Sequence, residues 1–123
     1  MNKRVPENSA QHKTAGPYSP VLEIECSKLV VISGQAAIDP DGNIVGDTIK
    51  MQAEYTLNNC LEQLKTAGCT FENVFKVNVY MTDLDMWGDF NNVYKRMMPS
   101  PMPVRTAVGT KLLPGCKIIV RSC

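Results

Sequence analysis

The sequence predicts a single α+β domain in which two amphipathic helices cover one face of a mixed, six-stranded sheet. Three observations lead to this prediction. Two segments carry apolar residues at helical spacing. Shorter segments either alternate between apolar and polar residues or are continuously apolar, as strands are. The length of 123 residues suits one domain. The predicted order is β-β-β-α-β-α-β-β. The other face of the sheet also carries apolar residues, which association between copies would bury.

Six short segments have the composition of strands. VLEIE (Val21 to Glu25) alternates apolar and acidic residues, as a half-exposed strand does. KLVVIS (28–33) is more uniformly apolar and predicts a buried strand, which QAAI (35–38) continues up to a turn. Residues 72–81 again alternate between apolar and polar side chains, which predicts another strand. Two further strands are predicted near the end of the chain, at 105–111 and 116–121.

Two segments have the apolar periodicity of helices. The clearer helix is predicted over residues 48–67, with an apolar stripe formed by Ala53, Leu57, Cys60, Leu61 and Leu64. A second helix is predicted to follow Asp83 or Asp85 and to end at Pro99, because proline cannot continue a helix interior. Its stripe consists of Met86, Phe90, Val93, Tyr94 and Met97.

Composition and charge narrow the classes of function. The formal net charge of +1 gives no long-range attraction to nucleic acid or to an anionic membrane. No apolar stretch approaches the ~20 residues that span a bilayer. Residues 1–16 are polar and are predicted to form an N-terminal arm of one domain, 1–123. This arm has no apolar core of a secretory signal, and Glu7 with a single arginine argues weakly against a mitochondrial presequence, so we predict a cytoplasmic protein.

The five cysteines indicate neither a disulfide framework nor a metal site. Their number is odd, and no two have the C-x-x-C spacing of zinc ligands. A nucleophilic cysteine would need an activating base, and the only histidine, His12, lies in the polar arm. We therefore expect reduced thiols, with a catalytic cysteine as the less favoured alternative. They are Cys26, Cys60, Cys69, Cys116 and Cys123.

The stretch MPVRTAV (102–108) places Arg105 after a proline-rich segment and at the start of a predicted strand. Its guanidinium is permanently charged and offers a planar fork of donors that matches a carboxylate. Residue type and position alone leave two interpretations open. Arg105 is either a strand-end residue that is solvated or paired to an acid, or the anchor of an anionic ligand.

Five motifs occur in order: GPYSP (16–20), ISGQ (32–35), YMTDLDMWGDFNNVY (80–94), PVRTAV (103–108) and LLPG (112–115). Together they resemble the RidA family, also called YjgF or L-PSP-like proteins, over nearly the whole chain. The resemblance implies an α+β fold similar to bacterial chorismate mutase. It also implies a homotrimer with the sheets in a central barrel and with ligand pockets between neighbouring subunits.

For function, the resemblance implies hydrolysis of reactive 2-imino and 2-enamino acids, such as 2-aminoacrylate, to 2-keto acids and ammonia. It implies a small carboxylate ligand and no metal or organic cofactor. One alternative is a trimer that binds small carboxylates without turning them over. Some members have been described as ribonucleases or translation inhibitors. This sequence supports that role poorly, because it has no basic patch and no aromatic stacking platform.

Carried onto this sequence, the resemblance makes Arg105 the carboxylate-binding and catalytic residue. Tyr18 matches a tyrosine that lines the pocket, and Ser33 and Gly34 match a strand end that approaches the ligand. Asn91 matches an asparagine on the second helix near the site. Plainer alternatives stay open: ring packing for Tyr18, a bulge or turn for Gly34, and a solvated helix position for Asn91.

The last strand departs from the family pattern. A glutamate expected there, thought to position the hydrolytic water, is replaced by Ile119, and Arg121 takes the next acidic position. No Asp or Glu follows Asp89 in the chain. General acid–base assistance is typically worth about 10²- to 10⁴-fold in rate. The anion-binding half of the site is therefore predicted to be intact and the water-activating half to be missing. If Arg121 lies on the same strand face as Ile119, it places a second cation near Arg105, which would suit a dianionic ligand. The commoner alternative is a terminal, solvated arginine.

Overall fold

The computed structural model describes residues 2–122, with all of their side chains except those of Ile118, Ile119, Arg121 and Ser122. The elements are, in chain order, β1 (Asn2–Arg4), β2 (Glu23–Glu25), α1 (Ile49–Thr66), β3 (Lys76–Met81), α2 (Trp87–Met97), β4 (Val104–Gly109) and β5 (Ile118–Ser122). Short 3₁₀ turns precede β3 and α2, at Phe71–Asn73 and Leu84–Met86. The α+β class with two helices is therefore confirmed.

The strands form two sheets. β3 lies at the centre of a three-stranded mixed sheet, parallel to β4 and antiparallel to β5. β1 and β2 form a separate antiparallel pair in which Lys3 lies opposite Ile24. The described part of the chain thus contains five strands in two sheets, rather than the single six-stranded sheet that we predicted.

The prediction of a buried strand over residues 28–33 is wrong for this structure. The segment forms no strand, and Leu29 and Val31 are 61% and 52% exposed. Near this segment, only Gln35, two positions after its end, joins the sheet in the described structure. Gln35 and Val120 exchange two backbone hydrogen bonds, of 2.8 and 2.9 Å, at the edge of β5. An apolar strand is buried only where a neighbour covers it, and the described residues of one copy cover Ile32 but leave Leu29 and Val31 open.

Both helices form where their periodicity predicts them. Thr48 caps α1, since its hydroxyl accepts a hydrogen bond of 3.2 Å from the backbone N–H of Met51. Gly68 follows the helix with φ of 74°, a left-handed conformation that glycine adopts without strain. α2 ends at Met97, shortly before Pro99.

The core lies between the helices and one face of the three-stranded sheet. Alternate residues of β3, Val77, Val79 and Met81, have no exposed surface, as the alternation predicted. The largest buried side chains that meet them from the helices are Leu57, Leu64, Phe90 and Tyr94. This packing fixes α2 in place, and with it the side chains that border the buried face of that helix.

The N-terminal arm contains a strand that the sequence analysis did not predict. β1 lies within residues 1–16 and pairs with β2, and Lys3 Nζ donates a hydrogen bond of 2.7 Å to the carbonyl of Val74. Burial lowers the pKa of Lys3, while the nearby Glu72 carboxylate acts in the opposite direction. A polar strand of three residues carries no alternation that could have predicted it.

Neither helix has the length and apolar character needed to cross a membrane, as far as the described residues go.

Candidate functional site around Arg105

The side chain of Arg105 lies beneath α2 rather than at a solvated strand end. Its strand, β4, places Arg105 in register with Val77, whose side chain faces the helices. Residues paired across neighbouring strands project to the same face of a sheet, so the guanidinium reaches toward α2. There Nη1 donates a hydrogen bond of 2.9 Å to Oδ1 of Asn91. The structure therefore brings together two of the predicted site residues.

Three aromatic rings surround the guanidinium. The centroids of Trp87, Tyr94 and Tyr18 lie 4.5, 4.9 and 5.6 Å from Cζ of Arg105. Each ring presents its electron-rich face to the cation, an interaction worth roughly 0.5–2 kcal/mol. Tyr18 was predicted as a site residue, whereas Trp87 and Tyr94 were not.

The spacing of residues along α2 could have revealed the two missed aromatic residues. Trp87, Asn91 and Tyr94 are four and three positions apart, so they lie on the same face of the helix. Once Asn91 is placed near the site, this spacing places both rings beside it. The motif that carried the family resemblance contains all three residues, but we read Tyr94 only as part of the apolar stripe.

The charge of Arg105 has no acidic partner in the structure. None of the ion pairs between described residues involves it. Burial lowers the pKa of its guanidinium, and the phenol groups of Tyr94 and Tyr18 act in the opposite direction. Arginine nevertheless keeps its proton in proteins, because its ordinary pKa lies so far above neutrality. The site therefore holds a fixed, partly buried positive charge that an anion can neutralise.

One edge of the guanidinium lacks a hydrogen-bond partner. The Nη2 atom is buried, and no acceptor for it is found among the described residues. A donor left in this state costs about 1–3 kcal/mol, which an incoming acceptor would recover. Gly16 borders the same edge, and a Cβ at this position would come within 3.2 Å of Nη2. The glycine of GPYSP thus leaves the backbone close to the guanidinium without covering it with a side chain.

The GPYSP segment is fastened to the chain just before β4. The backbone N–H of Ser19 donates a hydrogen bond of 3.1 Å to the carbonyl of Pro103, and its hydroxyl donates to the carbonyl of Met102. Gln11 Nε2 donates a hydrogen bond of 2.8 Å to the carbonyl of Tyr18. These contacts explain how a tyrosine far from Arg105 in sequence comes to lie beside it.

The other predicted site residues are not joined to this cluster. Ser33 and Gly34 line a separate surface depression with Val31 and Ile32, and no contact links them to Arg105 in the described chain. Their role in the site stays a prediction. The expectations for Ile119 and Arg121 concern side chains outside the described residues. Their backbones pair with Tyr80 and Asn78 of β3.

Metal ligands do not converge in the described residues. They contain no group of three or more His, Cys, Asp or Glu side chains that could hold an ion. Cys60 and Cys116 are buried, whereas Cys26 is exposed. The only histidine of the sequence contacts the site, which its position in a polar arm does not predict. A nitrogen of His12 lies 3.1 Å from the hydroxyl of Tyr18.

Changing Tyr94 to phenylalanine is expected to raise the free energy of unfolding by about 1 kcal/mol. The hydroxyl is buried and has no hydrogen-bond partner in the described part of the molecule. Its burial also raises the pKa of Tyr94 above the ordinary value. Phenylalanine keeps the ring contact with Phe90, whose centroid is 5.5 Å away. Urea unfolding measures the change, and a clear loss of stability would show that the hydroxyl has a partner.

Comparison with known proteins identifies the family. A family model described as Endoribonuclease L-PSP matches residues 8–120, a span that includes both Tyr18 and Arg105. The chain belongs to this family. The resemblance inferred from the five motifs is thereby confirmed.

Individual relatives of this L-PSP chain have several names. It is 41% identical over 111 residues to "Protein mmf2, mitochondrial" of Schizosaccharomyces pombe, which covers 90% of this chain and 86% of that protein. It is 34% identical over 122 residues to human 2-iminobutanoate/2-iminopropanoate deaminase, which covers 98% and 88%. The solved structure of E. coli TdcF with bound serine matches with a TM-score of 0.71 and 28% identity, over 80% of this chain and 81% of that one.

Proposed function

We propose that the protein hydrolyses small 2-imino and 2-enamino acids, such as 2-aminoacrylate, to 2-keto acids and ammonia, with Arg105 binding the substrate carboxylate. The observation that carries this proposal is the unpaired Nη2 edge of a partly buried guanidinium that has no acidic partner among the described residues. The human relative named for deamination of 2-iminobutanoate and 2-iminopropanoate supports a RidA-like role. The serine-bound relative is a second protein of this fold that accommodates a small carboxylate.

The geometry suits recognition of a carboxylate. Asn91 uses one donor of the guanidinium and holds its plane, while the Nη2 donors stay unpaired. Hydrogen bonds from an ionised donor to a carboxylate are worth about 1.5–3 kcal/mol, more than neutral ones. A carboxylate held in this way fixes the position of the adjacent imine carbon. Hydrolysis of a substrate that is already electrophilic gains from such positioning.

A coupled assay tests this proposal. A pyridoxal-phosphate dehydratase generates 2-aminoacrylate from serine, and pyruvate formation is followed with and without the protein. Because 2-aminoacrylate also hydrolyses unaided, the expected result is faster pyruvate formation in proportion to the protein added. Equal rates with and without the protein would reject the proposed activity.

Changing Asn91 to aspartate is expected to weaken carboxylate binding by about tenfold or more. The amide oxygen lies 2.9 Å from Nη1, so a carboxylate in its place would neutralise the charge that the ligand needs. Calorimetric titration with pyruvate measures the affinity. Asn92→Asp, at an exposed position of the same helix, is the matched control. The same affinity in both variants would contradict the proposed role of Arg105.

We also propose that three copies associate and that the ligand lies in the clefts between them. The exposed apolar side chains of Leu29 and Val31, on a segment with no strand partner, support association through this region. The same interface would allow Ser33 and Gly34 of one copy to approach Arg105 of another. Light scattering on the purified protein is expected to give three times the chain mass of 13.6 kDa. A monomer would contradict a shared cleft.

A second candidate function is binding of small carboxylates without turnover. It is favoured by one observation, the absence of any Asp or Glu after Asp89. Calorimetry with pyruvate and 2-oxobutanoate, combined with the coupled assay, separates the two functions. Saturable binding without acceleration favours this candidate, whereas turnover that depends on Arg105 excludes it.

The compartment remains a separate prediction. We propose a cytoplasmic protein, whereas the mmf2 relative of Schizosaccharomyces pombe is named as mitochondrial. Fractionation of cells that express the full chain with a C-terminal tag distinguishes the two compartments.

A further inference from the structure

The only histidine of the chain is held against Tyr18. One ring nitrogen of His12, Nε2, lies 3.1 Å from the Tyr18 hydroxyl, and the other, Nδ1, lies 2.9 Å from the hydroxyl of Thr14. The Tyr18 ring in turn faces Arg105, with 5.6 Å between its centroid and Cζ. The arm therefore forms a continuous series of contacts from Thr14 through His12 and Tyr18 to the guanidinium.

We propose that His12 acts through Tyr18 as a positioning residue and proton acceptor for the hydrolytic water. This inference rests on the proposed imine hydrolysis. It concerns the proton transfer from the attacking water, for which the last strand provides no acidic residue. The last strand carries no carboxylate, and no acid follows Asp89. Histidine is the side chain best suited to exchange a proton near neutral pH. His12 thus supplies, from the opposite end of the chain, a base that the last strand does not provide.

The orientation of the imidazole follows from its two contacts. When Nδ1 carries the proton and donates it to the Thr14 hydroxyl, Nε2 has a free electron pair that accepts a hydrogen bond from the Tyr18 O–H. The backbone supports this arrangement. The N–H of Ala15 donates to the carbonyl of His12 at 3.1 Å, and Gln11 Nε2 donates to the carbonyl of Tyr18 at 2.8 Å. The arm thus contacts Tyr18 at two points, through Gln11 and His12.

Addition of water to a protonated imine then balances. The water oxygen bonds to the imine carbon, and the electron pair of the C=N π bond moves to nitrogen. The water proton passes to the Tyr18 oxygen as the Tyr18 proton passes to His12 Nε2, which leaves a neutral carbinolamine. The same proton returns through Tyr18 to the amine nitrogen, the C–N bond breaks with its pair on nitrogen, and ammonia leaves. The hydroxyl oxygen forms the new C=O bond and gives its proton to ammonia.

A purely structural role for His12 makes different predictions. The imidazole is exposed, and no acidic side chain contacts it in the described chain. The groups that contact it are the hydroxyls of Thr14 and Tyr18, and the Arg105 cation lies over the ring of that tyrosine. A structural contact would act through the stability of the arm, so its loss would lower the melting temperature together with turnover. A proton acceptor affects turnover most in the range where histidine changes its charge, between about pH 5 and 8.

The test measures kcat/KM for 2-aminoacrylate against pH in the wild type and in His12→Gln. Glutamine can still hydrogen-bond to Tyr18 but cannot accept the proton. The expected result is a fall of about 10²-fold near neutral pH, with the acidic limb of the profile lost. Tyr18→Phe is expected to cause a similar fall, and combining it with His12→Gln to add little. Lys13→Gln, an exposed neighbour in the arm, is the control.

The outcomes separate this inference from the proposed function. If the wild type does not accelerate pyruvate formation, the proposed hydrolysis fails and the role of His12 fails with it. If turnover depends on Arg105 but His12→Gln keeps the wild-type rate and pH profile, the hydrolysis stands and His12 has no part in it. A uniform fall at every pH, accompanied by a lower melting temperature, would also overturn the inference.

Discussion

Replacing Arg105 with alanine is expected to lower kcat/KM for 2-aminoacrylate by about 10²- to 10³-fold. The substitution removes a hydrogen-bonded charge contact to the substrate carboxylate, and loss of one partner of such a pair costs about 2–5 kcal/mol. It also leaves the amide oxygen of Asn91 without its donor at 2.9 Å and removes the cation that Trp87 and Tyr94 face. The coupled assay with a dehydratase measures the change.

Arg105→Lys is the matched control for charge. Lysine keeps a positive charge on a long side chain but lacks the planar fork that binds a carboxylate through two parallel bonds. We expect it to recover only part of the lost activity. Full activity in the alanine variant would remove Arg105 from the site. Full activity in the lysine variant would mean that charge alone suffices.

Replacing Phe90 with alanine is expected to lower the free energy of unfolding by about 3–5 kcal/mol. Phe90 has no exposed surface, and its ring packs between those of Trp87 and Tyr94, with centroid distances of 6.3 and 5.5 Å. Native domains are stable by only about 5–15 kcal/mol, so this loss is a large share of the total. Urea unfolding followed by circular dichroism measures it.

The control for this change is Asn92→Ala, at an exposed position on the same helix. We expect it to change the free energy of unfolding by no more than about 0.5 kcal/mol. Because Phe90 holds α2 against the core, its loss should also weaken the ring contacts around Arg105. Unfolding of Phe90→Ala and Asn92→Ala at the same urea concentration would show that α2 is not fixed by this ring.

Local periodicity predicted the helices and the central strand well. The stripe that includes Leu57 and Leu64 defines α1, and the alternation of Val77, Val79 and Met81 defines the buried face of β3. In both cases the pattern arises from burial inside one chain, so the sequence alone predicts it. The segment 28–33 shows the limit of this reasoning. Ile32 is buried in the core, but Leu29 and Val31 are exposed in a single copy, so their apolar character did not predict burial within one chain.

Site residues could be predicted where they belong to a family motif, even when they are distant in sequence. Residues outside the motifs could not be predicted when only a contact between distant segments brings them to the site. Arg105, Asn91 and Tyr18 lie together, although Tyr18 and Arg105 are separated by most of the chain. Trp87 could have been found from its helical spacing to Asn91. His12 could not, because its contact with Tyr18 depends on how the polar arm folds back, and the arm has no periodicity.

Fluorescence of Trp87 tests most directly whether Arg105 binds a carboxylate. Trp87 is the only tryptophan in the sequence, and its ring lies 4.5 Å from Cζ of Arg105, so it reports on the occupancy of this site. Titration of the wild type with 2-oxobutanoate is predicted to give a saturable change in emission that is absent from Arg105→Ala. No change in the wild type, or the same saturation curve in both proteins, would contradict the account.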